Sequence, residues 1–274
     1  MTPKFPARLH VLLASKAPVG VVFRRGPANA VCTVGWNRET GEFKLGQWLR
    51  GRIYERRADL SPDGRHLIYF ARGGRRHQET KGSWTAISRA PWLRAVTLYG
   101  KGDCWQGGGL FTSNTTYWLN GCHFVLRKSA ELAEDQEYKP AGFFGAECPS
   151  VYYRRLLRDG WTLEMKAGPG VVAPCTVFTR PLRHGWILRK FAYADIDHPE
   201  GAGVYWDEHE LEHPGRKALL SVPTWEWADR DGPALVWAEK GILYRALVNP
   251  LGPAAAEVLQ DFNSMQFESR VAPY

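Results

Sequence analysis

The sequence predicts an all-β fold, and three observations carry that prediction. Aromatic residues are 13% of the 274 residues, and 12 of them are tryptophan; aromatic side chains favour the half-buried surface of a pleated sheet. The chain contains 28 glycines and 18 prolines, which form turns at short intervals. Short apolar or alternating runs lie between these turns, and Ser129–Glu137 is the one stretch for which a helical turn is expected.

The clearest predicted element is the hairpin from Arg57 to Ala71, RADLSPDGRHLIYFA. Pro62 fixes φ at the start of the turn, and Gly64 supplies the positive φ that a tight turn needs. The second strand, His66–Ala71, has apolar residues at both odd and even positions. Such a strand is typical of one buried between two packed layers.

The other elements follow in chain order as short strands joined by turns. Upstream, two predicted hairpins precede the Arg57–Ala71 hairpin. Downstream, a glycine triplet (Gly107–Gly109) and turns at Asp159-Gly160, His184-Gly185 and Asp231-Gly232 separate further predicted strands. These strands are expected at His10–Ala14, Gly20–Arg24, Ala30–Trp36, Glu42–Trp48, Trp84–Arg89, Ala95–Tyr99, Leu110–Thr112, Thr116–Leu119, His123–Arg127, Ser150–Leu157, Trp161–Met165, Cys175–Arg180, Trp186–Tyr193, Gly203–Leu211, Trp225–Ala228, Ala234–Ala238 and Ile242–Val248.

The Leu60–Gly64 motif and its looser echo at Trp227–Gly232 resemble the repeat of TolB-like and WD-repeat-like β-propellers. Tight turns often recur at about 45 residues, close to the period of a four-stranded blade. The resemblance implies a single β-propeller domain over residues 1–274, with about five or six four-stranded blades. It also implies a strand at about 257–268 that closes beside the first blade. It is a resemblance of architecture and implies no site residue.

Charge is distributed unevenly, and it carries the main functional expectation. Residues 1–100 contain 18 Lys and Arg against 6 Asp and Glu, whereas the remainder contains 18 against 22. The best interaction candidate is the basic loop with Arg72, Arg75, Arg76 and His77, which follows further arginines at 50–57. We expect a non-enzymatic interaction or scaffold protein that binds a protein partner. Nucleic-acid binding through the basic N-terminal blades and an ordinary solvated surface remain alternatives.

One tempting metal motif is His209-Glu210-Leu211-Glu212-His213, which has the H-E-x-x-H spacing of zinc proteases. Strand-like sequence precedes it and Pro214 follows it, so a strand is expected. In a strand His209 and His213 share one face and Glu210 lies on the other, away from any metal that the histidines hold. We therefore expect no metal and no cofactor, with His209, His213 and Asp207 as weak candidates only. The acidic stretch 195–213 favours a solvated face over a divalent-cation site, and a patch for a basic partner is a third interpretation.

Features that the sequence lacks argue against several other classes of protein. Its five cysteines are widely spaced without a C-x-x-C, which favours reduced thiols and a cytoplasmic location over a disulfide framework or a zinc site. No run approaches the ~18 apolar residues of a membrane span. A hydrolase with acids or histidines in a central funnel is the enzymatic alternative, and the oligomeric state stays open.

Overall fold

A computed structural model describes residues 5–26, 30–73, 79–121, 123–145, 147–165, 175–198 and 203–274. The described part is mainly antiparallel β-sheet with one α-helix, α1 (Cys148–Arg158), and two 3-10 helices, Arg183–Gly185 and Pro214–Arg216. The strands are β1 (Arg8–Leu13), β2 (Val19–Arg25), β3 (Ala30–Asn37), β4 (Phe43–Arg50), β5 (Arg52–Leu60), β6 (His66–Arg72), β7 (Ser83–Arg89), β8 (Ala95–Gly100), β9 (Gly109–Phe111), β10 (Thr116–Leu119), β11 (Phe124–Arg127), β12 (Ala133–Glu134), β13 (Thr162–Met165), β14 (Cys175–Pro181), β15 (Ile187–Ala194), β16 (Tyr205–His213), β17 (Ala218–Ser221), β18 (Trp227–Asp231), β19 (Ala234–Glu239), β20 (Ile242–Asn249), β21 (Gly252–Pro253) and β22 (Glu257–Asp261).

The chain divides into two compact units. The N-terminal unit comprises Pro3–Phe5, His10–Arg155 and Met265–Tyr274, and the C-terminal unit comprises Met1–Thr2, Pro6–Leu9 and Leu156–Ser264. The N-terminal unit has sheets of order β1-β2-β3-β4, β12-β10-β9 and β11-β8-β7-β6-β5. The C-terminal unit has sheets of order β13-β14-β15-β16-β17 and β18-β19-β20-β21, with β22 beside β20. The prediction of one domain over residues 1–274 stays a prediction.

The propeller prediction is wrong, and with it the TolB-like and WD-repeat-like resemblance. The described residues form five separate open sheets, and their strand numbers differ rather than repeating as equal four-stranded blades. Turn residues determine which neighbouring strands form hairpins, but they leave open how hairpins combine into sheets. The strand expected at 257–268 is the shorter β22, which pairs with β20 in antiparallel fashion.

The hairpin around Ser61-Pro62-Asp63-Gly64 is confirmed. Ser61 Oγ lies 2.6 Å from Asp63 Oδ1 and accepts the His66 N–H at 2.9 Å, and Gly64 has φ +74°. Beyond the turn, β6 is buried on both faces. Leu67 and Tyr69 pack in the cluster that includes Val21, whereas Ile68 belongs to the cluster with Phe111. The strand therefore joins two apolar layers of the N-terminal unit, as its sequence predicts.

Helix α1 replaces the strand predicted at Ser150–Leu157, and the helical turn expected at Ser129–Glu137 is absent from the described structure there. Cys148, Val151, Tyr152 and Arg155 are buried at helical spacing. Pro149 lies in the first turn of α1, where its missing N–H costs little. The helix ends in a Schellman motif, in which Trp161 N–H bonds Leu156 C=O and Gly160 N–H bonds Leu157 C=O.

Arg155 connects α1 to β5. Its guanidinium donates to the carbonyls of Glu55 and Ala58 on β5 and, at 2.8 Å, to His10 Nε2. Backbone carbonyls on an outer strand of a sheet need partners when they are buried. Arg155 supplies partners for two of these carbonyls and so ties α1 to β5.

In the C-terminal unit the long ladder β14-β15-β16 sets the alternation of β16. Asp207, His209 and Leu211 are buried on one face. Glu208, Glu210 and Glu212 alternate with them and are partly exposed. The strand expected over the H-E-x-x-H motif is confirmed, with Glu210 on the face opposite the two histidines. Each helix of the described residues is too short to cross a membrane, and the longest, α1, has 11 residues.

Candidate functional site

Only part of the predicted basic loop can be located. Arg72 is the last residue of β6 and is exposed. Arg75, Arg76 and His77 lie outside the described residues. The site is therefore built from Arg72 and the residues that the strand register brings next to it.

Two further arginines lie at the junction of β4 and β5, beside Arg72. Arg50 ends β4, Arg52 begins β5, and both are exposed. Arg52 is the cross-strand partner of Arg72 in the β5–β6 ladder. Gly51 joins the two strands with φ +155°, and a Cβ there would lie 2.6 Å from the Arg72 carbonyl oxygen. A glycine is thus required for this close approach, and Arg50, Arg52 and Arg72 together form the arginine patch.

No carboxylate that the structure describes forms an ion pair with the arginine patch. Among the described residues, no carboxylate lies within 4.0 Å of the side chain of Arg50, Arg52 or Arg72. The nearby acid Glu55 is bound instead by Arg25 at 3.1 Å and Arg56 at 3.5 Å. Burial acts to raise the pKa of Glu55, but Arg25, Arg56 and Arg52 outweigh it and leave that pKa below its usual range.

Two of the three guanidinium groups lie over aromatic rings. Arg52 is 4.7 Å from the ring centroid of Tyr54, and Arg50 is 4.6 Å from that of Phe267. Cation–π stacking uses the flat face of a guanidinium and leaves its N–H edge available. The arrangement orients positive charge and hydrogen-bond donors without neutralising either, which suits a planar anion such as a carboxylate.

The other arginines of the 50–57 run are structural. Arg57 is 1% exposed and donates to the carbonyls of Cys104 at 2.7 Å and Gln106 at 3.0 Å. Its Nε lies 3.3 Å from the Cys148 thiol. The internal contacts of Arg57, and the Glu55 pairing of the nearly buried Arg56, remove these two from the set available to a ligand.

The glycine triplet and two buried thiols, Cys148 and Cys32, serve packing. A Cβ on Gly108 would collide with the Arg57 carbonyl oxygen, so the triplet allows a close backbone approach rather than a ligand loop. Burial raises the pKa of the Cys148 thiol even though Arg57 favours the thiolate, and burial raises that of Cys32 to about 12. Thiols of this kind are poor nucleophiles.

The weak metal candidates are engaged in other contacts. His209 Nδ1 lies 2.9 Å from the Trp225 carbonyl oxygen, and its Nε2 lies 2.8 Å from Lys190 Nζ. His213 packs edge-on against Trp186. Asp207 is 3.9 Å from Lys190 Nζ. The described residues contain no group of three or more His, Cys, Asp or Glu that could hold a metal.

Lys190 is the centre of this buried cluster, and sequence reasoning missed it. The side chain is 1% exposed, donates to the Ala228 carbonyl at 3.3 Å and lies 4.8 Å from the Trp161 ring. Because a carbonyl only accepts, the Trp225 contact places the hydrogen of His209 on Nδ1, and Nε2 accepts from Lys190. The sequence feature that indicates a buried lysine is its position between Leu188 and Ala192, on the inward face of the predicted strand.

The two units differ in net charge. The N-terminal unit contains 24 Lys and Arg against 13 Asp and Glu, and the C-terminal unit contains 12 against 15. The positive excess expected of residues 1–100 therefore belongs to the N-terminal unit, which also holds the arginine patch.

Comparison with known proteins assigns no family. No protein-family model matches the chain, and no curated protein matches it. Among solved structures the chain is similar to the crystal structure of an uncharacterized protein from Listeria monocytogenes EGD-e, at 10% sequence identity and a TM-score of 0.32. The match covers 93% of this chain and 66% of that chain, so this chain spans just under two thirds of its length. So low a TM-score carries no argument about function.

Proposed function

We propose that this protein is a non-enzymatic interaction protein whose arginine patch binds an acidic segment of a protein partner. One observation carries the proposal. Arg52 and Arg72 are direct cross-strand partners, and no carboxylate among the described residues pairs with either. Like charges that face each other across a ladder destabilise a sheet. An anionic ligand would remove that repulsion.

Geometry favours carboxylates over nucleic-acid bases. Directly opposite residues in an antiparallel pair have Cα atoms about 4.5–5.5 Å apart, and alternate side chains of an extended peptide repeat at about 6.8 Å. Two acidic side chains on one face of a peptide can therefore reach two neighbouring guanidinium groups. Single-stranded nucleic acid binds largely by stacking on open aromatic rings, whereas Tyr54 and Phe267 are already stacked with arginines.

We place this role in the cytoplasm. The structure leaves Cys32, Cys104, Cys148 and Cys175 as free thiols, and reduced cysteines are typical of that compartment. The free thiols are the observation that supports this proposed location.

The test is a titration with a labelled polyglutamate peptide, followed by fluorescence anisotropy, at low salt and at about 150 mM salt, where the Debye length is about 8 Å. The double variant Arg52→Glu/Arg72→Glu is expected to weaken binding at least about 100-fold, since each charge-assisted contact contributes about 1.5–3 kcal/mol. The matched control is Arg216→Glu, an exposed arginine of the C-terminal unit, which should bind like the wild type.

Three outcomes contradict the proposal. They are the absence of salt-sensitive binding in the wild type, equal losses in the patch variant and in the Arg216→Glu control, and tighter binding of single-stranded nucleic acid than of the acidic peptide under the same conditions. The last outcome would establish the nucleic-acid alternative instead.

A further inference from the structure

The 265–274 segment, here called the strap, contacts Arg50 of the arginine patch through Phe267. It contains no helix or strand. The sheet β1-β2-β3-β4 ends at β4, and the strap contacts that outer strand. Arg270 Nη1 approaches the Leu45 carbonyl at 3.5 Å, and Gln47 Nε2 donates to the Arg270 carbonyl at 2.8 Å.

The strap is attached at two ends by aromatic side chains. Phe267 lies 4.6 Å under the Arg50 guanidinium and 5.8 Å from the Trp48 ring. Tyr274 Oη accepts the Arg89 N–H at 3.0 Å and donates to the Arg94 carbonyl at 2.6 Å. Both anchors thus use arginines, or the backbone of arginines, of the basic N-terminal unit.

Apart from its anchors and the two Arg270 contacts with β4, the strap has few buried side chains. Phe267 is 42% exposed and Val271 is 85% exposed, whereas Ala272 is buried. Glu268 pairs with Arg270 of the strap itself at 2.7 Å, so the acidic side chain of the strap does not neutralise the arginine patch. A segment with few buried contacts opens at low free-energy cost.

We infer that the strap is a displaceable restraint on Arg50 of the arginine patch, which an acidic partner moves aside to engage Arg50 together with Arg52 and Arg72. This rests on the proposed function and concerns its regulation. Phe267 stacks on the face of the Arg50 guanidinium without supplying a carboxylate and fixes the direction of that side chain. The N–H edge stays open, but Arg50 can turn to share one anion with Arg52 and Arg72 only when Phe267 leaves. Release of Phe267 then releases the neighbouring strap from β4.

The experiment repeats the polyglutamate titration with Phe267→Ala and with Tyr274→Phe, which loses both hydrogen bonds of the Tyr274 hydroxyl. Phe267→Ala should bind about 2- to 5-fold more tightly, the equivalent of one exposed cation–π contact. Val271→Ala, in the same segment but largely exposed, is the control and should match the wild type. Circular dichroism verifies that each variant folds.

A second readout reports opening of the strap itself. The Arg89 amide is bonded to Tyr274 Oη, whereas the Leu93 and Arg94 amides are bonded to Gln47 Oε1. Saturating polyglutamate should speed hydrogen exchange of the Arg89 amide in the wild type and leave those of Leu93 and Arg94 slow.

The outcomes separate the two proposals. If the wild type binds polyglutamate but Phe267→Ala binds equally or more weakly, or the Arg89 amide stays protected in the complex, the strap inference is wrong and the proposed function stands. If the wild type does not bind polyglutamate, the proposed function itself is wrong.

Discussion

Lys190 and the arginine patch differ in how their positive charge is stabilised. Lys190 is buried and surrounded by His209, Asp207 and the Ala228 carbonyl. Arg52 and Arg72 face each other at the surface, and no carboxylate of the described structure lies within ion-pair distance of them. A buried charge must be paired because its desolvation is costly. An exposed charge stays hydrated and needs no protein partner.

Structural cations and candidate binding cations in this protein can be distinguished by whether their partners lie in the same chain. The fold uses Lys190, Arg57 and Arg155, and their partners lie in the same chain. No carboxylate among the described residues pairs with Arg52 or Arg72, and under the proposed function a ligand supplies that partner. Substitutions should therefore separate stability from binding, with opposite patterns at the two places.

The largest expected effect is on the buried cation. Lys190→Met should lower the free energy of unfolding by about 3–5 kcal/mol, since Asp207 loses the ammonium group that faces it in a buried site. Urea unfolding followed by tryptophan fluorescence measures this, and polyglutamate binding should not change in the folded variant. Arg216→Met is the control and should stay within about 0.5 kcal/mol of the wild type. Equal stabilities of the two variants would remove the structural role assigned to Lys190.

The next expected effect in size is a pH dependence of stability, which depends on histidines that the fold keeps neutral. Burial lowers the pKa of His66 and of His123. His123 Nδ1 lies 2.8 Å from the Gly121 carbonyl and Nε2 lies 2.9 Å from Thr85 Oγ1, which fits a neutral ring. Both lowered pKa values mean that the unfolded chain binds protons first as the pH falls.

Stability should therefore be complete above the unfolded histidine pKa of about 6.5 and fall as the pH drops below it. Urea unfolding at about pH 7.5 and about pH 5.5, above the range where most carboxylates titrate, measures the slope. His123→Gln should make that slope shallower. A stability that is flat or rises on acidification would contradict the neutral assignment.

Local chemistry made much of the fold predictable. The Ser61–Gly64 turn and the apolar β6 follow from adjacent residues, and both are as expected. Helix α1 was missed because Val151, Tyr152 and Tyr153 favour strands by residue type. Their burial instead follows the helical spacing from Cys148, and Pro149 with Gly160 mark the ends. How hairpins assemble depends on contacts between distant residues, which no turn motif specifies, and the propeller prediction failed there.

The site could be predicted only in part for a related reason. Arg72 was identified from the basic loop, but its position opposite Arg52 depends on an irregularity in the β5–β6 ladder. Leu60 pairs with Leu67 near the turn, and that register continued unchanged would pair Arg52 with Arg75. A shift between Tyr54 and Asp59 brings Arg52 opposite Arg72. Phe267 enters the site from a segment more than 190 residues away in sequence, which no local pattern indicates.

The most direct test of the central claim measures stability and binding together in Arg52→Gln/Arg72→Gln. Glutamine keeps much of the side-chain length and removes the charge. We expect loss of polyglutamate binding by about tenfold or more. The unfolding free energy should be unchanged or higher by about 0.2–1 kcal/mol, because the cross-strand repulsion is gone. Wild-type binding, or a clear fall in stability, would contradict this claim and make the two arginines part of the fold rather than of a binding site.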